Sequence, residues 1–251
     1  MHAERLHDPD VWRRVRGTIA ASRMPWTVFV EPLDARIRGI DLRPKLDWLA
    51  EHGHEVALHV HHRPLHGPAG QTTGYEKRMT RDPVLVHRCM DEATEYLIAA
   101  GHAPTGFVSG TWLLLESVFR WLAVNGIRYD CTMRTYPHSE CRVSDASDAL
   151  DALDEPEDAI GPPTATRAPG IMQLCGVLEV PTTASLREQT RAELPVRSRQ
   201  ARREDYDLFY LHDYDLLDAR KRLAVRLIGR RRGEHAMTVR ALIESLLGTE
   251  R

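Results

Sequence analysis

The sequence predicts an α/β protein built on a parallel sheet, and two observations carry that expectation. Along the first half of the chain, short apolar and β-branched runs alternate with stretches of helical period, as in successive βα units. The run "GHEVALHVHHRPLHG" (53–67) then sets His59, His61, His62 and His66 within eight positions at the exit of one such strand, out of 13 histidines in all. At 251 residues the chain has the length of one large α/β domain, so a single domain over 1–251 is expected.

The elements follow in order. "DPDVWRRVRGTIAAS" (8–22) reads as a capped helix, with Asp8 at the N-cap, Pro9 in the first turn, and Val11, Val15 and Ile19 four apart on one face. "WTVFV" (26–30), between Pro25 and Pro32, has the composition of a buried strand. A helix over 42–52, closed by Gly53, leads to the strand "EVALHV" (55–60). A helix over 83–100, closed by Gly101, leads to "TGFVSG" (105–110), and one over 113–126 leads to "IRYDCTM" (127–133). The acidic, then proline-rich stretch at about 134–170 has no period and reads as an irregular excursion, because strand-like runs resume at "IMQLCGVLEVP" (171–181). "YDLFYLHDYD" (206–215) is a strand running into a polar turn, followed by helices over 216–229 and 237–248. The basic cluster "RLIGRRRG" (226–233) reads as a solvated helix C-terminus favoured by its dipole.

Composition narrows the function. A net charge of −2 argues for neither a nucleic-acid partner nor an acidic substrate, and no run approaches the ~18 apolar residues of a membrane span. The N-terminal stretch has no apolar leader segment, and Cys89, Cys131, Cys141 and Cys175 are scattered without a CxxC pair. A cytoplasmic chain with reduced thiols is expected, acting on a small molecule without a membrane partner. Assembly into a homo-oligomer is left open.

Side chains alternate along 55–61, so Ala57, His59 and His61 share one face and Val56, Leu58 and Val60 the other. His59 therefore projects from the C-terminal end of a buried parallel strand, where open α/β sheets and barrels place their chemistry. The turn at Arg63–Pro64 can bring His62 or His66 back toward it. Converging neutral imidazoles suit a divalent metal such as zinc; the competing reading is a hydrogen-bonded core histidine followed by surface loop residues. "DLFYLHDYD" (207–215) repeats the pattern, with His212 at a strand exit beside Asp213 and Asp215, a setting for general acid–base work. Capping of the next helix accounts for one of those aspartates but not for His212.

These two stretches, in this order, resemble the polysaccharide deacetylase superfamily, the NodB-type carbohydrate esterases. "PWTVFVEP" (25–32) looks like that family's "ATFFV" strand. "LDWLAEHGHEVALHVHHRP" (46–64) is similar to its "GHEIGSHTYSHP" segment, in which two histidines four apart bind the metal. "TGFVSGTWLLLESVFRWLAVNGIRYDCTM" (105–133), "VLEVPTT" (177–183) and "FYLHDYD" (209–215) resemble its third, fourth and fifth motifs, so the likeness covers about 24–134 and 171–248.

The resemblance implies a distorted (β/α) barrel and a divalent metal cofactor, zinc by expectation. It also implies a hydrolase that removes an N-acyl (acetyl) group from a small carbohydrate or aminocyclitol-like substrate. It assigns His59 to the metal and His212 to the catalytic acid; His62, a neighbour of the unmatched second position, is expected to complete the metal site, and Trp112, His61 and Asp213 to meet the substrate. Alternatives of other kinds are a non-hydrolytic barrel that binds a carbohydrate-like ligand or serves as an accessory subunit, and an allantoinase-like amidohydrolase. Three departures qualify the likeness. Arg63 stands where the family has its second metal histidine, and Val108 where it has an arginine. The ten residues before Val11 are also too few for the family's aspartate-bearing first strand and its loop, so the barrel is expected to be short of that strand, with helix capping accounting for Asp8 and Asp10.

Overall fold

The computed structural model describes residues 1–134, 171–186, 206 and 208–248; the expected excursion lies, from residue 135 on, outside the described residues. The first helix forms as its sequence dictates. The Asp8 side chain accepts hydrogen bonds from the Asp10 and Val11 amides, and Pro9 opens α1 (Pro9–Ser22), which buries Val11, Val15 and Ile19. This fixed start leaves residues 4–8 as a loop and frees the residues before them for pairing.

Those residues correct an expectation. His2–Ala3 form a strand, β1, parallel to β2 (Thr27–Val30), with His2 opposite Phe29 and Ala3 opposite Val30. Two residues suffice because β1 is bonded on both edges. The Phe29 amide donates to Met1 O and the Glu31 amide to Ala3 O, while on the far side the His2 amide donates to Leu211 O at 2.9 Å.

The central sheet runs β1-β2-β3-β6-β7-β9-β8, with β3 (Glu55–Val60), β6 (Gly106–Ser109), β7 (Tyr129–Asp130), β8 (Met172–Leu174) and β9 (Val177–Glu179). Every neighbouring pair is parallel except β8–β9. A parallel pair, β10 (Ala184–Ser185) with β11 (Phe209–Tyr210), follows β9, and just past β11 His212 bridges back to His2. The mixed α/β class and the mostly parallel sheet are as expected.

The helices α3 (Arg43–Glu51), α4 (Pro83–Ala99), α5 (Glu116–Val124), α6 (Ala219–Arg232) and α7 (Val239–Gly248) match the periodic stretches. Two of them begin three residues late, for local reasons. A 3₁₀ turn at Gly110–Trp112 precedes α5, and a second one at Asp213–Leu217 precedes α6, which Asp218 caps through the Arg220 amide. Short α2 (Leu33–Ile37) and the antiparallel pair β4 (Leu65–His66) and β5 (Gly74–Tyr75) carry too little periodicity to be read from sequence. None of the described helices is long and apolar enough to cross a membrane, and Cys89, Cys131 and Cys175 are free thiols.

Within the curve of the sheet, Phe29, Ala57, Val108, Tyr129, Cys131 and Val180 pack with Val239 and Ile243 of α7. At the end opposite the histidines lies a buried carboxylate, Glu55. It accepts from Thr27 Oγ1 (2.8 Å), Tyr129 Oη (2.7 Å) and the Arg240 amide (3.1 Å), so the start of α7 is tied to the sheet. A buried carboxylate is tolerated only when so satisfied, and this one fixes the base of the structure beneath the site.

Candidate metal centre

The pleat of β3 turns Glu55, Ala57 and His59 inward, and His61 follows on the same side. His59 is 1% exposed. Its Nδ1 lies 2.9 Å from Val108 O, and because a carbonyl only accepts, that nitrogen carries the proton. Its Nε2, left with a free lone pair, points at Glu4 Oε1, 3.5 Å away. Glu4, the first residue beyond β1, also has its Oε1 3.4 Å from His61 Nε2 and 3.6 Å from His212 Nε2. Three imidazoles from two distant segments thus surround one carboxylate oxygen.

Glu4, His59 and His61 form the one group among the described residues whose ligand atoms could hold a metal ion, all lying within 4.8 Å of one another. His59 Nε2 and both ring nitrogens of His61 are buried without a hydrogen-bond partner among the described residues, an expensive arrangement unless another group uses their lone pairs. One carboxylate and two imidazoles are the donor set of a three-ligand catalytic zinc site with an open position. A divalent cation fits these residues.

Electrostatics agree. Burial works against a charge on Glu4, yet its side-chain contacts with His59 and His61 hold its carboxyl well below the usual carboxylate range. Burial lowers the pKa of His59, so the ring stays neutral and able to coordinate. His61 is seated by an absence: a Cβ at Gly110 would come 2.5 Å from His61 Nδ1. Gly110→Ala should displace that ring and weaken zinc binding about tenfold or more in a chelator-competition titration; unchanged affinity would show that His61 is not a ligand.

The geometry places two of the expected residues elsewhere. His62, taken as the second ligand, turns to the opposite side and is buried, its Nε2 3.0 Å from Ser109 Oγ. Burial, then the charges of His61 and His59, pushes its pKa down to about 3, so it is a neutral core histidine. Asp213, taken as a substrate contact, is wholly buried and accepts from the Arg5 (2.7 Å) and Tyr214 (2.8 Å) amides. It pins the loop that presents Glu4, and burial raises its carboxyl to about 6. His66, the other neighbour considered for the metal, is exposed in β4 and outside the group.

His212 does join His59, and the structure adds Asp215 behind it. Asp215 Oδ2 accepts from the His212 amide at 2.9 Å and lies 3.7 Å from His212 Nδ1. Burial would raise the Asp215 carboxyl, but His212 and Lys221 hold it at about 2. Trp112 stands at the rim, its ring centre 5.2 Å from that of His2 and 4.9 Å from that of Tyr210. Thr111 and Trp112 both adopt left-handed backbone, φ 56° and 62°, a strained turn of the kind that collects at functional sites. His2 is buried between His59 and His212, at ring distances of 4.9 and 5.5 Å.

Sequence reasoning missed Glu4 and His2 because a two-residue strand shows no alternation; the available signal was one carboxylate before the Asp8 cap.

A cavity of about 210 Å³ opens beside Glu4 and His61, lined also by Glu31, Asp34, Arg63 and Tyr75. Glu31 is buried and accepts the Leu33 and Asp34 amides, each at 3.2 Å; burial nevertheless pushes its carboxyl up to about 8. A folded-state pKa above the unfolded value means that the folded protein binds the extra proton. The stability this confers is full below about 4.5 and is lost as pH rises through about 8. Urea denaturation from pH 5 to 9 should show Glu31→Gln flattening that decline; an unaltered slope would contradict it.

The sequence matches no family model, and it matches no curated protein. Three solved structures are similar in part. One, described as a polysaccharide deacetylase from Mycobacterium smegmatis, has 19% identity and a TM-score of 0.40 over 87% of this chain; the chain spans 60% of its length. A second, from Bordetella bronchiseptica, is described as a polysaccharide deacetylase involved in O-antigen biosynthesis. It has 13% identity and a TM-score of 0.45, over 91% of this chain and 78% of its own. The third is a 4-alpha-glucanotransferase from Thermococcus litoralis, with 12% identity and a TM-score of 0.49, over 94% of this chain and 36% of its own. Two of the three thus bear the description that the motifs led us to expect. At these values the likeness decides neither chemistry nor substrate.

Proposed function

We propose that the protein is a metal-dependent hydrolase that removes an N-acyl group, acetyl being the simplest, from a small carbohydrate or aminocyclitol-like substrate. The observation that carries this reading is the convergence of Glu4, His59 and His61 beside His212, with buried ring nitrogens that no other group satisfies. A distorted barrel belongs to the same reading, supported by the β9–β10 segment pairing with β11 and by the return of His212 to β1.

Glu4 Oε1, His59 Nε2 and His61 Nε2 would hold the cation, zinc by the nature of the donors. When bound, such an ion polarises the amide carbonyl and lowers the pKa of a water beside it. The chain supplies the rest. Val108 O fixes the tautomer of His59, and Asp213 fixes the loop behind Glu4. His212, with Asp215 behind it, would give a proton to the departing amine nitrogen. Trp112 and Tyr210 would wall the substrate and exclude water.

The test is acetate release from N-acetylated amino sugars and aminocyclitols. Activity should disappear with EDTA and return with zinc. Release that is indifferent to chelation would reject the proposal, and a stable ligand complex without release would favour the non-hydrolytic alternative.

A further inference from the structure

The cavity beside Glu4 and His61 holds a cation that has no ion pair among the described residues. Arg63 lies on its wall, two residues beyond His61. Its backbone is fixed on both sides: the amide donates to His61 O at 2.7 Å, and its carbonyl accepts from Cys89 Sγ at 3.0 Å. The guanidinium rests over the Tyr75 ring, 5.0 Å from the centroid, and the Tyr75 hydroxyl is in turn held by Asp34. Yet Arg63 Nε is buried and has no hydrogen-bond partner. An oriented guanidinium with an open donor is the usual receptor for a planar or tetrahedral oxyanion.

The carboxylates around it do not serve as that partner. Asp34 takes the Tyr75 hydroxyl. Glu31 takes two backbone amides, and burial, against the pull of Arg63, pushes its carboxyl up to about 8. Glu4 faces the three imidazoles, and Arg5, the other lining cation, is paired with Asp8 at 2.9 Å. No carboxylate among the described residues therefore takes the Arg63 Nε donor, which is left for whatever enters the cavity.

We propose that this cavity is a subsite for an anionic oxygen group of the substrate, a carboxylate or a phosphate, received by Arg63. The inference deepens the reading above and rests on it for the scissile amide. The substrate class it names is an N-acylated amino-sugar acid or the phosphate ester of an N-acyl amino sugar, with amide and anion a few bonds apart.

The experiment measures binding of N-acetylglycine, N-acetylglycinamide and inorganic phosphate to the protein as purified, by calorimetry, with divalent metal content assayed in parallel. N-acetylglycine should bind about tenfold or more tightly than its neutral amide. That ratio should fall to near one in Arg63→Met, which keeps the stem over Tyr75, and should be partly kept in Arg63→Lys. Phosphate that competes best, and does so only when Arg63 is present, supports the subsite and assigns it to a phosphate ester. A wild-type protein without preference for the anion overturns the proposal, and that comparison holds even if Arg63→Met fails to fold. A preference that survives Arg63→Met overturns it as well. Absence of metal with the Arg63-dependent preference intact sinks the hydrolase reading alone; metal present without that preference sinks the subsite alone.

Discussion

Replacing Glu4 by alanine should cost at least ~10²-fold in zinc affinity and abolish hydrolysis, because it removes the single anionic ligand and leaves two neutral imidazoles. His59→Ala should behave alike, as the lone pair of His59 Nε2 faces the same point. His62→Ala should leave metal affinity nearly unchanged while costing stability through the lost packing and the lost hydrogen bond to Ser109 Oγ. Competition with a chromophoric chelator reads the affinities, and thermal melting reads the stability. The contrast is the informative part, since His62 and His61 are sequence neighbours. If His62→Ala loses the metal and Glu4→Ala keeps it, the donor set drawn here is wrong.

The second large effect concerns His212. Its ring lies 3.6 Å from Glu4 Oε1 but outside the three-ligand group, so His212→Ala should retain stoichiometric metal while kcat falls about 10²–10⁴-fold. KM should move much less, since a proton donor acts in the transition state rather than on the bound substrate. The side chain is half-buried at the rim, so the variant should fold. A wild-type rate in His212→Ala would remove the acid role; loss of metal would make His212 a fourth ligand instead.

Much of this arrangement was legible in the sequence where a pattern repeats often enough to be seen. Six residues of β3 alternate cleanly, so the inward turn of His59 and its place at a strand exit could be read directly. The apolar run before His212 gave the second half of the site. The choice between His61 and His62 was harder. Alternation puts His61 on the side of His59, but the family spacing of two histidines four apart favoured a residue folded back by the turn. In the structure His62 instead settles on Ser109. Glu4 was invisible for a different reason. Its strand is two residues long and is stabilised by partners 27 and more than 200 positions away, Phe29 and Leu211, so no local periodicity marks it. Asp213 misled because a carboxylate beside a catalytic histidine looks functional until its amide partners are known.

The measurement that tests the central claim most directly is anomalous diffraction at the zinc edge from crystals of the zinc-loaded protein. The account predicts one strong peak per chain, coordinated by Glu4, His59 Nε2 and His61 Nε2, with His212 close by and not bonded to it. A peak held by His62 or His66, or no ordered zinc at any occupancy, would contradict it.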